Sequence, residues 1–134
     1  MPTPARTSLA DIVKAGRDIL ESDGIDGLTM QSIATRVGVR APSLYKRIRG
    51  RNDLLRFVGN DAAAELTHGL EAATTGGDPR HDLVAVAHAF RRFARTNPGA
   101  YALIFAPLLD DARADPEWSI KASAPVIDAT ERLA

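Results

Sequence analysis

Glycine and proline divide this chain into segments of helical length, and apolar residues recur within each segment at helical spacing. In the first segment Leu9, Ile12, Gly16 and Ile19 follow one another at three- and four-residue steps, which places them on one face of a helix. The strict apolar-polar alternation that is typical of a half-buried strand is absent. The sequence therefore predicts an all-α fold.

Local signals predict where these helices begin and end. Ser8 and Asp11 have the spacing of a capping box at the start of the first helix. Thr29 is placed to cap a short second helix, which Gly38 ends, and Pro42 suits the first turn of a third helix at about residues 41–48. Further helices are predicted over about 51–74, from Asp78-Pro79 to 96, over about 100–109, and from Asp115-Pro116 onward, with a bend at Pro125.

Charge is distributed unevenly in a chain that is neutral overall, with 17 Lys and Arg against 17 Asp and Glu. Residues 1–60 carry ten basic and six acidic side chains, and residues 61–134 carry seven and eleven. This pattern favours a polyanion that touches only the N-terminal part. A solvated charged surface without a partner is the alternative.

Composition restricts the cellular setting and the chemistry. The chain has no cysteine, which excludes disulfides and thiolate metal sites and favours a reducing compartment. No apolar run approaches the roughly 20 residues of a membrane span, and the N-terminus lacks the apolar core of a signal peptide. We expect a cytoplasmic protein that does not enter a membrane.

Two short predicted helices separated by Gly38, Val39 and Arg40 have the spacing of a helix-turn-helix. The small residue Gly38 permits a tight turn. Apolar side chains can lock both helices onto the first helix: Ile33, Val37, Val39, Leu44 and Ile48. The second helix of the pair would then present its N-terminal residues to the major groove of a DNA duplex.

The side chains of that second helix suit contacts with base edges. Ala41, Pro42 and Ser43 are small enough for close approach, and Lys46 and Arg47 follow one turn later. Basic side chains at this position can reach guanine acceptors or phosphates. For Ala41 and Pro42, a role limited to shaping the start of the helix is an equal alternative.

Phosphate contacts are expected on both flanks of the same helix. The Tyr45 hydroxyl can reach a phosphate oxygen, Thr29 stands at the positive end of a helix dipole, and Arg51 lies near the start of the fourth helix. A half-buried packing role without a ligand is the alternative for Tyr45.

The stretch LTMQSIATRVGVRAPSLYKRIRGRNDLL, residues 28–55, closely resembles the DNA-binding domain of TetR-family transcriptional regulators. The resemblance implies a helix-turn-helix DNA-binding domain over 1–50 and a helical ligand-binding and dimerisation domain over 51–134. It also implies a homodimeric repressor that leaves a palindromic operator when a small, largely apolar molecule binds. Carried over by position, the DNA contacts are Thr29, Gln31, Ala41, Pro42, Ser43, Tyr45, Lys46, Arg47 and Arg51.

The second half offers a candidate ligand site. The stretch AFRRFARTNPGAYALIFAP, residues 89–107, resembles a subgroup of the family that has a Phe, Asn-Pro, Tyr, Phe pattern. Aromatic walls with a few polar groups suit a small apolar ligand, and the candidates are Phe90, Phe93, Tyr101, Phe105 and His88. A simple core role is the alternative for the aromatic residues, and a satisfied or exposed side chain is the alternative for His88.

Other functions find less support in the sequence. His68, His81 and His88 lack carboxylate partners at ligand spacing, so no metal site is expected. A Gly-rich phosphate loop and a nucleophile elbow are also absent from the sequence, so we expect neither a cofactor nor an enzyme. A helix-turn-helix protein that is constitutive or controlled by protein partners remains open, because the family pattern leads us to expect further helices beyond the seventh.

Overall fold

The computed structural model describes residues 7–134, and every regular element in that range is helical. The all-α prediction is therefore confirmed. The described residues form seven α-helices and one 3-10 turn: α1 (Leu9–Asp23), the 3-10 turn Ile25–Gly27, α2 (Met30–Val37), α3 (Ala41–Leu44), α4 (Arg51–Ala73), α5 (Pro79–Thr96), α6 (Pro98–Ile104) and α7 (Pro116–Leu133).

The helix starts predicted from capping signals are present. Ser8 Oγ accepts from the amide of Asp11 at 3.1 Å, and the Asp11 carboxylate accepts from the amide of Ser8 at 3.2 Å. The bond from the Ser8 amide is the largest cause of the lowered pKa of Asp11. At the end of α2, Gly38 adopts φ 77° and ψ 33°, the left-handed conformation that glycine tolerates best.

Two predicted boundaries are wrong. The third helix ends at Leu44 and not at Ile48, because the Leu44 carbonyl accepts both from the amide of Arg47 at 2.8 Å and from that of Ile48 at 3.0 Å. The first of these bonds closes a tighter, three-residue turn. α6 occupies 98–104 where 100–109 was predicted, since Pro98 already provides a first-turn residue. α7 runs through Pro125 as one helix, and the bend expected at that residue stays a prediction.

One continuous apolar core connects the N-terminal helices to the rest of the chain. Fully buried side chains of α1 and α2 meet those of α4, and the core extends to α5 and α6; its largest members include Ile12, Leu20, Ile33, Leu44, Leu54, Val58, Leu70 and Leu103. α1 and α4 approach closely at Gly16, where an added Cβ would lie 2.6 Å from Val58 Cγ2. The proposed domain boundary at 50/51 thus crosses a shared core and stays a prediction.

Polar contacts also connect α1 to the C-terminal half. Arg17 donates to Asp61 at 2.8 Å and to Glu65 at 3.3 Å, both on α4. Glu21 accepts from the first free amides of α6, at 2.6 Å from Gly99 N and 2.9 Å from Ala100 N. The end of α1 is thereby bonded directly to the start of α6.

A buried carboxylate secures the turn between α4 and α5. Asp82 is completely buried and accepts from the amide and hydroxyl of Thr75 at 2.9 and 3.0 Å and from the amide of Gly76 at 3.0 Å. Arg132 of α7 donates to the same carboxylate at 2.8 Å and also bonds the Gly77 carbonyl. The amide of Thr75, followed by Arg132, lowers the pKa of Asp82 to about 2.

Within residues 7–134, none of the helices combines the length and apolar character needed to cross a membrane.

Candidate functional site

The start of α2 presents a polar N-terminus supported from within the fold. The Thr29 hydroxyl accepts from the amide of Ser32 at 3.0 Å, and Ser32 Oγ accepts from the amide of Thr29 at 3.0 Å. A hydroxyl that accepts such a bond still has its own proton to donate. Thr29 is half-buried, so this group lies at the surface in a fixed position.

Arg51, at the first residue of α4, reaches back to the segment before α2. Its Nε donates to the Leu28 carbonyl at 3.0 Å and its Nη2 to the Ile25 carbonyl at 2.9 Å. The side chain remains exposed, and a guanidinium has five N–H donors, of which these bonds use two. Arg51 therefore fixes the residue before Thr29 and keeps donors for an outside acceptor.

The turn after α3 carries the most exposed part of the predicted interface. Leu44 and Ile48 are buried and hold the turn against the core. Between them Tyr45 is 56% exposed, and the side chains of Lys46 and Arg47 are exposed as well. These three side chains lie in a turn instead of on a helix face, because α3 ends early.

The remaining predicted contacts surround this turn. Ala41 is half-buried, while Pro42 and Ser43 are exposed at the start of α3. Gln31 is exposed on α2, where its amide nitrogen donates to Thr35 Oγ1 at 3.3 Å. The nine predicted DNA contacts thus come from the start of α2, α3 with its following turn, and the start of α4.

Positive charge dominates this surface. Residues 36–56 contain one acidic side chain, Asp53, and seven basic ones: Arg36, Arg40, Lys46, Arg47, Arg49, Arg51 and Arg56. Asp53 accepts from the amide of Arg49 at 3.0 Å and from Arg56 at 3.4 Å, and the Arg49 amide is the larger cause of its lowered pKa. The one anion of this stretch is therefore paired within the fold.

A cavity of about 930 Å³ lies in the C-terminal half, between α4, α5, α6, the loop 105–115 and α7. Its volume falls in the range of small-molecule sites. Its walls are mostly apolar and include Leu55, Leu66, Leu70, Val86, Phe90, Leu103, Ile104, Phe105, Trp118, Ala122, Val126 and Ile127.

The structure divides the predicted ligand residues into two groups. Phe90 and Phe105 line the cavity. Phe93 packs in the core, Tyr101 stands behind the lining with its ring edge-on to Phe90 at 5.9 Å, and His88 is exposed on α5. Phe93, Tyr101 and His88 are not among the described residues that line the cavity. On α5, Phe93 follows Phe90 by three residues, which turns its side chain by about 60° around the helix axis, from the cavity toward the core.

Sequence reasoning missed the contribution of α7 to the wall. Trp118, Ala122 and Val126 recur every four residues, and Ser119 and Ser123 do the same beside them. This period is a helical signal that was available in the sequence.

Residues 7–134 contain no group of three or more His, Asp and Glu side chains that could hold a metal ion.

Comparison with sequence families matches both halves of the chain. The family described as "Bacterial regulatory proteins, tetR family" matches residues 6–58. The family described as "Tetracyclin repressor-like, C-terminal domain" matches residues 83–134.

Individual relatives agree with both matches. The HTH-type transcriptional regulator Rv0681 of Mycobacterium tuberculosis is 33% identical over 128 residues, which cover 92% of this chain and 57% of the relative. The class A tetracycline repressor of Escherichia coli is 32% identical over 100 residues, or 66% of this chain and 46% of that protein. The chain spans about half the length of the curated relatives it matches.

Solved structures share the arrangement of helices. Protein SCO4313 superposes with a TM-score of 0.73 at 28% identity, covering 93% of this chain and 62% of the other. The transcriptional regulator SCO7222, a TetR from Streptomyces coelicolor, gives a TM-score of 0.60 at 25% identity, covering 91% of this chain and 59% of its own.

Proposed function

Because this chain belongs to the TetR family of bacterial regulatory proteins, we propose that it is a DNA-binding transcriptional repressor that a small molecule releases from its operator. The observation that carries the proposal is the exposed turn of Tyr45, Lys46 and Arg47, which is anchored on either side by the buried Leu44 and Ile48. A cytoplasmic location follows from the DNA partner.

The nine candidate residues contact different parts of the DNA. Ala41, Pro42 and Ser43 enter the major groove, and Lys46 and Arg47 reach base edges or phosphates beside them. Tyr45 donates its hydroxyl to a phosphate without reading sequence.

Phosphates on either side of the groove complete the contact. Thr29 and the free amides of α2 bind one of them at the positive end of the helix dipole. The unused donors of Arg51 bind another, and Gln31 lies beside Thr29 on the exposed face of α2. Because Arg51 also bonds the Leu28 carbonyl, it keeps the Thr29 site in register.

Release by a ligand rests on the elements that form the cavity. α4 contributes Leu55 and Leu66 to the wall and also begins with Arg51. α6 contributes Leu103 and is bonded at its start to Glu21 of α1. A molecule that moves these walls apart therefore displaces α4 and α6, which hold the DNA-binding helices. The size of the response is set by how much more tightly the molecule binds the displaced arrangement than the DNA-binding one.

We propose that the regulator acts as a homodimer on a two-fold symmetric operator. One helix-turn-helix reads a single half-site, and two copies spaced by one DNA turn read a palindrome. Joining two weak contacts raises the overall affinity without any new contact type.

Selection from a random duplex pool tests this function. We expect the protein to enrich a two-fold symmetric motif, and its Lys46→Ala variant to bind that motif at least tenfold more weakly. Arg91→Ala, which removes an equally exposed cation from α5, is the matched control and should bind like the parent. A protein that retains no duplex at low salt would refute the proposal.

A further inference from the structure

The polar groups of the cavity define the chemistry of the molecule that fits it. We infer that the effector is a neutral aromatic compound carrying a hydrogen-bond donor, such as a phenol. The inference rests on the proposed function, since it names the ligand of the same site.

The charged residues of the wall are already paired. Arg113 is the only cation among the described lining residues; it donates to the Leu108 carbonyl at 2.8 Å and pairs with Asp110 at 3.5 Å. A ligand carboxylate would have to compete with both of these partners. The wall thus offers an anion only the exposed side chain of Arg113, whose charge Asp110 already balances.

The second lining carboxylate is engaged in the same way. Asp115 accepts from Asn60 Nδ2 at 3.1 Å and from Arg56 at 3.4 Å, and its amide donates to Asn60 Oδ1 at 2.6 Å. A cationic ligand would meet a carboxylate that Arg56 already neutralises. Desolvating an ion without a partner is costly, so a neutral ligand is favoured over either charged one.

Two hydroxyls on α7 determine whether the ligand must donate or accept a hydrogen bond. Ser119 and Ser123 line the cavity one turn apart. Ser119 Oγ donates to the Pro116 carbonyl at 2.8 Å, and Ser123 Oγ donates to the Ser119 carbonyl at 2.9 Å. A serine hydroxyl has one proton and two lone pairs, so both groups face the cavity as acceptors and call for an O–H or N–H on the ligand.

Aromatic side chains supply the opposite walls. Phe90 and Phe105 line the cavity with ring centroids 5.9 Å apart and planes inclined at 48°, and Trp118 lies on α7 near the two serines. Aromatic rings prefer such tilted or edge-to-face neighbours over aliphatic ones of the same area. A planar ring that contacts these walls can direct its donor toward α7.

Four matched probes test the inference on the full chain at pH 7: 4-tert-butylphenol, 4-tert-butylanisole, 4-tert-butylbenzoate and 4-tert-butylcyclohexanol. Trp118 is the only tryptophan of the chain, so its fluorescence reports occupancy, and melting temperature gives a second readout. We expect the phenol to bind about fivefold more tightly than the anisole, which lacks the donor. We expect the benzoate to bind at least about tenfold more weakly and the cyclohexanol about threefold more weakly.

The double variant Ser119→Ala/Ser123→Ala separates the hydrogen bond from general packing. It should lower phenol affinity to that of the anisole and leave anisole binding unchanged. Equal affinity of phenol and anisole in the parent would overturn the donor requirement. Tight benzoate binding that Arg113→Gln abolishes would overturn the neutral-ligand inference, and so would a chain that binds none of the four.

The same experiment distinguishes this inference from the proposed function. A preferred benzoate that still weakens duplex binding would refute the ligand class and support ligand-controlled DNA release. A phenol that saturates Trp118 quenching but leaves duplex affinity unchanged would support the ligand class and refute release.

Discussion

The junction between α1 and α6 provides a sharp test of the packing, because it leaves no room for a side chain at Gly99. A Cβ built there lies 2.4 Å from the Leu20 carbonyl oxygen and 2.8 Å from its carbonyl carbon. Both atoms belong to the backbone of the buried residue Leu20 and cannot rotate away. Gly99→Ala should therefore push the start of α6 away from α1 by about 1 Å to restore ordinary contact distances.

The expected cost combines strain with lost hydrogen bonds. Such a shift lengthens the bonds from Gly99 and Ala100 to Glu21, now 2.6 and 2.9 Å, beyond useful range. Overpacking costs about 1–3 kcal/mol, and each exposed bond contributes about 0.5–1.5 kcal/mol. Alanine recovers up to about 1 kcal/mol of helix propensity. The midpoints of these ranges give a net loss of about 3 kcal/mol, which lowers the melting temperature by roughly 9–12 °C.

Circular dichroism melts of Gly99→Ala and Gly69→Ala together make the test decisive. Gly69 lies within α4, and a Cβ there meets no atom within 4 Å, so alanine should raise stability by up to about 1 kcal/mol. Intrinsic propensity alone predicts stabilisation at both positions. A Gly99→Ala protein that melts at or above the parent temperature would refute the close contact.

Three further predictions concern polar side chains. Arg51→Ala should weaken binding to all duplexes alike and reduce the salt dependence of log K by about 0.9, the value for one phosphate; an unchanged slope in fluorescence anisotropy would restrict Arg51 to positioning Thr29. Tyr45→Phe should also weaken all duplexes alike but leave the slope unchanged, since it removes no charge, and loss on one sequence only would contradict a phosphate contact. The pKa of Asp82 is about 2, against an ordinary value near 3.8, so its ionised form stabilises the fold fully above about pH 4 and this contribution is lost as pH falls toward 2. Urea titrations between pH 2 and 6 should therefore show a shallower acid-side loss for Asp82→Asn than for the parent, and identical slopes would disprove the clamp.

The sequence predicted most of the helices because their signals are local. The capping pairs at Ser8 and Thr29 and the turn at Gly38 depend on residues within one turn of each other. The end of α3 could not be predicted in this way. It depends on the burial of Leu44 and Ile48 in the shared core, which favours a tight turn over a further helical one.

The candidate residues could be located from sequence only where they lie close together along the chain. The exposed residues of the helix-turn-helix lie within one short stretch, whereas the cavity is assembled from helices more than 60 residues apart. Spacing along α5 could not distinguish Phe90, which faces the cavity, from Phe93, which faces the core. The role of Arg51 toward Ile25 and Leu28 likewise requires knowledge of how α4 crosses the earlier segment.

The apolar core that the first four helices share affects whether the N-terminal part can fold without the rest of the chain. Ile12, Leu20 and Leu44 belong to the same buried cluster as Leu54 and Val58 of α4, so a fragment that stops at Gly50 should expose part of their apolar surface to water. We therefore expect the helix-turn-helix to melt in a single cooperative transition with the helices behind it, and proteolysis between Gly50 and Asn52 to release two unfolded pieces.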